Sequence, residues 1–469
     1  MHPDPFVRCG EEAWSDALDD TRSDWNEASA MERILLANKL LQILQDSHTA
    51  VSAYDWIWAV EKRHGTLPFR WAIEGRALWV LDSGLPGLPE EVRVLAINGR
   101  ESQLWIDDAL ALSTMEGPSH SATARTGAHN ITPWILGSTH QNSLTITWVD
   151  AESGLPTTKT FDAVPLRHAR KVWAPISTRR PVVDWIFPDG SHLTQRDDKR
   201  FAKEDKRLAT SGRVRRIHTN WPGATTVKIT SFSDGPWWSY HNRLAKGFDK
   251  AKSLGAPIVI DLRGNPGGQS PRMESLWRHV AKTRRHLPYA LVAKQSPIAA
   301  RANGRFYKRL RKRWVDKHRD TSPDARYIYT MANLPLGETD TLHFSKQGVW
   351  RNAWKGPVAV LIDGESASAS VSFAGAIQST NRGVLIGEPC MGPANGTMGN
   401  PYMRRLPDSG IVASISTAVY MAQPCDHWGE TTPVQPDLPV DAMWRRQGNL
   451  DNTIRDWVTS TNRSKPPRP

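Results

Sequence analysis

A chain of 469 residues, 39% of them apolar, is too long for one ordinary hydrophobic core and predicts two or three domains. A mean hydropathy of −0.50, with no apolar run near the roughly 18 residues of a spanning helix, argues against a membrane protein; 21 Trp, 10 Phe and 8 Tyr spread along the chain argue against disorder. Sixty Lys and Arg against 48 Asp and Glu give +12 at pH 7, a balance that suits nucleic acid, a membrane surface or an acidic protein as partner.

The opening MHPDPFVRCGEEAW has neither the basic nor the apolar region of a secretory leader, so none is expected in this sequence. The compartment is left open: cytoplasmic, or periplasmic or secreted if a leader was trimmed. Between residues 11 and 45, Met31, Ile34, Leu35, Leu40, Leu41 and Leu44 recur at three- and four-residue steps and predict helices, ending at Gln45-Asp46-Ser47-His48-Thr49. From about 66 to 165 the pattern shifts to short apolar stretches at 77–81, 92–97 and 144–149, broken by Gly and Pro. Asn98-Gly99 is a tight-turn dipeptide, and this region predicts a small β-rich domain. Residues 225–264 then read strand, helix, strand: 225–229 is β-branched, 240–254 is helix-periodic, and 256–262 is a continuous apolar run of the kind buried in a parallel sheet. The segments 358–362 and 383–386 repeat that signature around an Ala-rich helix at 367–377. Two such units predict an α/β core with a right-handed crossover sheet, and 449–457 is a candidate last helix.

The positive charge is patchy. Arg301 to Arg319 holds nine basic residues against one acid, and Arg196 to Arg216 mixes in Asp197, Asp198, Glu204 and Asp205. Either block reads as a solvated basic surface or as a dock for an acidic partner. Without zinc-finger spacing or an aromatic RNA-binding motif, basicity alone does not predict a nucleic-acid partner. Three cysteines make no disulfide framework, although Cys390 and Cys425, each after a proline, leave room for one bridge with Cys9 left over. No His-Glu-x-x-His or Cys-x-x-Cys pattern occurs, so no catalytic metal is expected.

Ligands of open α/β sheets bind beyond the carboxyl ends of the strands, and two segments end strands in a suitable way. Asp261-Leu262-Arg263-Gly264-Asn265-Pro266-Gly267-Gly268 runs from a buried strand into three glycines, where backbone N–H groups can approach a ligand or an oxyanion with no Cβ in the way. A simple tight turn would look the same. Asp363-Gly364-Glu365-Ser366-Ala367-Ser368-Ala369-Ser370 joins a strand to the Ala-rich helix, so a serine there sits at the positive end of the helix dipole. Serines before a helix are also ordinary N-caps. A serine nucleophile needs a base oriented by an acid, and spacing alone selects none of the 15 histidines.

Together these segments resemble the tail-specific, or carboxy-terminal processing, protease family, peptidase family S41. Residues 226–268 are similar to its strand, helix and DLRxNPGG strand, and SASASVSFAGAIQSTNRGVLIGEP to its block around the nucleophile. The resemblance spans roughly residues 225–440 and implies Ser368 as nucleophile, with an oxyanion hole from the N–H groups of Gly268, or Gly267, and Ala369. Val371 stands where the family usually has Glu. In the Ser-Lys branch a lysine lies in a downstream FGKG loop; the corresponding residue here is Pro393, and no lysine occurs between Lys355 and Lys465. The Ser-His-Glu branch, with the tricorn core and the chlamydial secreted protease, is closer. Its histidine stands in a DxHT context, matched by Asp46-Ser47-His48-Thr49, and its glutamate precedes a GVxPD element, matched by Glu430-Thr431-Thr432-Pro433-Val434-Gln435-Pro436-Asp437 with Pro433 for glycine. Ser47 fills the place of a serine that in the tricorn core connects histidine to glutamate.

The resemblance implies an α/β multidomain protein with a ClpP/crotonase-like core. The expected divisions are an N-terminal helical region (1–65) carrying His48, a PDZ-like β-rich domain (66–165), the protease core (166–440) and a C-terminal helix and tail (441–469). The segment 92–112 is similar to a PDZ-type strand, turn and helix. The implied function is a serine endopeptidase acting on protein or peptide substrates, with no metal or organic cofactor. The alternative is a non-catalytic peptide- or lipid-binding protein on the same fold, like the retinoid-binding relatives.

Overall fold

The apolar runs become neighbouring strands of one sheet because each is buried on both faces. In the computed structural model, which describes residues 2–51, 53–113, 115–117, 120–166, 168–169, 183–193, 221–233, 237–282, 289–297, 334–343, 353–397, 402–405, 412–422, 429–440 and 447–463, this sheet has seven strands. Their order is Leu438–Pro439, Val384–Gly387, Val358–Ile362, Ile258–Asp261, Thr225–Ile229, Val183–Ile186 and His192–Leu193. The first five run parallel, and the last two add antiparallel at one edge.

Alternation along the central strands divides the core in two. Ile258, Ile260, Val358, Val360 and Ile362 point to one side, where they pack with the helices Trp237–Leu254, Ser270–Val280 and Ala369–Ser379. Val259, Ala359, Leu361 and Ile386 point to the other, where Leu450, Ile454, Trp457 and Val458 of the helix Gln447–Arg463 cover them. A side chain of this kind contributes roughly 1.5–3 kcal/mol when fully buried, which is why uninterrupted Val/Ile/Leu runs specify central strands.

The N-terminal region forms the helices Glu11–Trp25 and Ala30–Gln42, the second opened by a capping box in which Ser29 and Glu32 exchange hydrogen bonds. The β-rich segment is a six-stranded antiparallel sheet with its own core, and Asn98-Gly99 turns in the left-handed region, as that dipeptide predicts. Among the elements without a sequence signal, one shapes this domain. His120–Thr139 is a helix of 20 residues despite Gly127, Pro133 and Gly137. Its buried Ile131, Trp134, Ile135 and Leu136 make packing override propensity, and a Cβ on Gly137 would stand 2.7 Å from the Trp56 ring. The dense basic blocks and Cys425 lie outside the described residues, whereas Cys390 is buried.

His279, near the end of the helix Ser270–Val280, stacks on Phe248 at 4.7 Å. Burial, joined by the charges of His241 and Lys252, lowers its pKa to about 4. The unfolded chain therefore binds a proton that the folded one refuses, so stability falls as pH drops from about 6.5 to about 4. Replacing His279 with Phe should flatten this dependence, measured as the melting temperature across that interval; an unchanged slope would show that other groups set it.

Candidate active site

The loop after Ile258–Asp261 is held by its own polar side chains. The Asp261 carboxylate accepts two hydrogen bonds from the Arg263 side chain, at 2.9 and 2.8 Å; although burial works in the opposite direction, Arg263 and Lys228 hold its pKa well below the usual carboxylate range. Asn265, fully buried, donates to the Ile229 carbonyl at 2.9 Å and accepts the Gly267 N–H at 2.9 Å. Its own carbonyl accepts the Ala367 N–H and the Ser370 hydroxyl. One asparagine thus fixes the glycine turn to the serine turn.

The three serines of the second loop have different surroundings. Ser366 is buried and donates to the Leu262 carbonyl, and Ser370 is buried on Asn265. Ser368 is exposed, and its Oγ makes no hydrogen bond among the described residues. It caps the helix Ala369–Ser379 at φ 52°, ψ −117°, a conformation costly for a residue with a Cβ. Gly267 makes this turn possible: a Cβ on it would stand 2.6 Å from Ser368 Cβ and 2.9 Å from the Ala369 nitrogen. No hydrogen bond from the N–H of Gly268 or Ala369 is found among the described residues. Two unspent donors therefore flank an exposed hydroxyl at a helix N-terminus.

His48 is held by the turn that ends the N-terminal helices. The buried Asp46 carboxylate accepts the N–H groups of His48 and Thr49 and the hydroxyl of Ser416, a structural cap. The short strand Ala50–Val51 then pairs with Val412–Ile415. His48 Nδ1 lies 3.2 Å from Ser47 Oγ, and Ser47 Oγ donates to Glu116 Oε2 at 2.7 Å. Glu116 is buried, and its Oε1 accepts from Arg8 at 2.6 Å. Glu430 is half-buried; its Oε1 accepts the Thr432 N–H at 3.2 Å. A Cβ on Gly117, next to Glu116, would stand 2.6 Å from the Thr431 carbonyl oxygen.

The loop from Cys390 to Gly396 lies between the two halves. Met391 N–H donates to the Ser366 carbonyl, Gly392 backs onto Glu116, and Asn395 accepts from Arg8 at 2.8 Å. Asp46, His48 and Glu116 each bring a ligand atom to within 4.8 Å of the others, a possible cation cluster among the described residues. Arg8 already supplies its positive charge.

The family model of peptidase family S41 matches residues 224–440, which contain both glycine and serine loops. The core of the chain, though not its whole length, thus carries the signature of peptidase family S41. No curated protein matches its sequence. Among solved structures, mature CPAF aligns at 12% identity over 96% of this chain and 92% of its own, with a TM-score of 0.59. Mature CPAF complexed with lactacystin (12%, 96% and 93%, 0.60) and a CPAF mutant (12%, 97% and 93%, 0.63) are similar to the same extent. At this identity the likeness is one of fold, and it extends through nearly the whole chain.

Two features of this chain had no signal in the sequence. One is Glu116; the other is a charge clamp on the nucleophile loop. Arg125, from the helix His120–Thr139, binds Glu388 at 2.8 Å and approaches Asp363 at 3.7 Å, while His129 meets Glu365 at 3.1 Å. Burial and the neighbouring Glu365 and Glu388 raise the pKa of Asp363 despite the opposing charge of Arg125. Breaking a buried pair costs about 3–5 kcal/mol, and Arg125 retains 22% side-chain exposure, so Arg125→Met should cost about 2 kcal/mol in urea unfolding. An unchanged midpoint would reduce the clamp to a surface contact.

Proposed function

We propose that this chain is an endopeptidase of protein substrates in which Ser368 attacks and His48 is the base. The observation that carries this reading is the difference among the three serines: only Ser368 is exposed, with its Oγ unbonded among the described residues, in a strained turn beside the Gly268 and Ala369 N–H groups. As Ser368 Oγ bonds to the peptide carbonyl carbon, its proton passes to His48 Nε2. The developing oxyanion accepts from the two N–H groups, a contribution of about 3–4 kcal/mol per donor. The proton then goes to the leaving amine, and water, activated by the same histidine, hydrolyses the acyl-enzyme. Ser47 carries the influence of a glutamate to Nδ1; Glu430 is the candidate from the Glu-x-x-Pro-Val pattern.

Ser368 Oγ and His48 share no hydrogen bond among the described residues, and in this reading the pair closes as substrate binds, as catalytic contacts commonly tighten on binding. A fluorophosphonate should label Ser368 in the wild type, and both His48→Ala and Ser368→Ala should abolish labelling and casein cleavage. Labelling that survives His48→Ala at the wild-type rate would overturn the role of His48.

A further inference from the structure

Hydrogen bookkeeping around Ser47 identifies a carboxylate that the sequence pattern does not. Ser47 has one hydroxyl hydrogen. At 2.7 Å from Glu116 Oε2, an acceptor-only carboxylate oxygen, that hydrogen is committed to Glu116. Ser47 Oγ can then offer only a lone pair to His48 Nδ1, 3.2 Å away. The contact is a hydrogen bond only if Nδ1 carries the proton, which makes Nε2 the unprotonated nitrogen. The same Glu116 oxygen also accepts the Ser47 backbone N–H at 3.1 Å, so it fixes the hydroxyl from both ends.

Glu116 is in turn held from behind. Arg8 is buried, with 4% side-chain exposure; it donates to Glu116 Oε1 at 2.6 Å, to the Gln45 carbonyl and, at 2.8 Å, to Asn395 Oδ1. The guanidinium therefore joins the carboxylate, the turn that carries His48 and the loop that reaches the serine turn. A rigid fork bound to three partners restricts Glu116 to one orientation, with Oε2 left for Ser47.

We infer that Glu116, held by Arg8 and acting through the Ser47 hydroxyl, is the positioning residue that sets the tautomer of His48. The inference rests on His48 being the base of the proposed reaction. In Glu116→Gln the amide nitrogen can donate to Ser47, turning the hydroxyl hydrogen toward Nδ1 and selecting the wrong tautomer. By analogy with tautomer loss in a Ser-His-Asp triad, where kcat falls about 10⁴-fold, a loss of at least 10²-fold is expected through this longer relay.

The test measures fluorescent-casein hydrolysis and the rate of fluorophosphonate labelling of Ser368 in the full chain. Glu116→Gln should lose at least 100-fold in kcat with KM within about twofold, and Glu116→Asp should recover part of that loss. Ser47→Ala, which leaves the Arg8–Glu116 pair intact, should show the same kcat loss and serves where Glu116→Gln does not fold. The inference is overturned if Ser47→Ala or folded Glu116→Gln retains wild-type kcat, or if Glu430→Gln alone loses 100-fold. A wild type that is neither labelled nor active would instead overturn the endopeptidase reading.

Discussion

The architecture of the site depends on Asn265, a buried residue with no part in the chemistry. Its amide group spans the Ile229 carbonyl and the Gly267 N–H, and its carbonyl takes the Ala367 N–H and the Ser370 hydroxyl. Remove any of these bonds and a buried polar group is left unpaired, at a cost of about 1–3 kcal/mol. The glycine turn and the strained Ser368 turn are thereby one rigid unit. The strain at Ser368 is held by this unit, in which Gly267 lies against the Ser368 turn and Asn265 ties both turns to the Ile229 carbonyl.

A second rigid unit forms around Arg8, with Gln45, Glu116 and Asn395 as its partners. The loop Cys390–Gly396 touches both units, by Met391 on the Ser366 carbonyl and by Asn395 on Arg8. The proposed chemistry therefore depends on how well one short loop registers two prebuilt halves. Placement errors of about 1 Å between reacting groups cost orders of magnitude in rate, so this loop is where such an enzyme is most sensitive.

Local patterns made much of this legible. The buried strands announce themselves as continuous apolar runs, and Ser368 is marked by a strand, a small-residue turn and an Ala-rich helix, all within a few residues of one another. His48 required resemblance, since nothing in Asp46-Ser47-His48-Thr49 itself distinguishes a base from a surface histidine. Glu116 was invisible because its meaning is a contact across 69 positions, made on a turn with no motif. Glu430 was read from a short pattern, and its neighbour Thr431 packs on Gly117, beside Glu116; a sequence pattern has no means of ranking the two carboxylates. The helix His120–Thr139 was hidden by its own Gly and Pro content, and with it the Arg125 clamp.

The two-sided sheet bears on inheritance as well as stability. The segment that carries the family signature stops at residue 440, yet one face of its central strands is covered by the helix Gln447–Arg463, anchored by Asp451, which accepts a hydrogen bond from Trp221. The stretch of sequence by which relatives recognise one another is thus smaller than the body that can exist alone in water. A gene fusion or recombination event that transferred only the recognisable segment would carry with it a bare apolar sheet face, and its product would be selected against as sticky before its chemistry was ever tried.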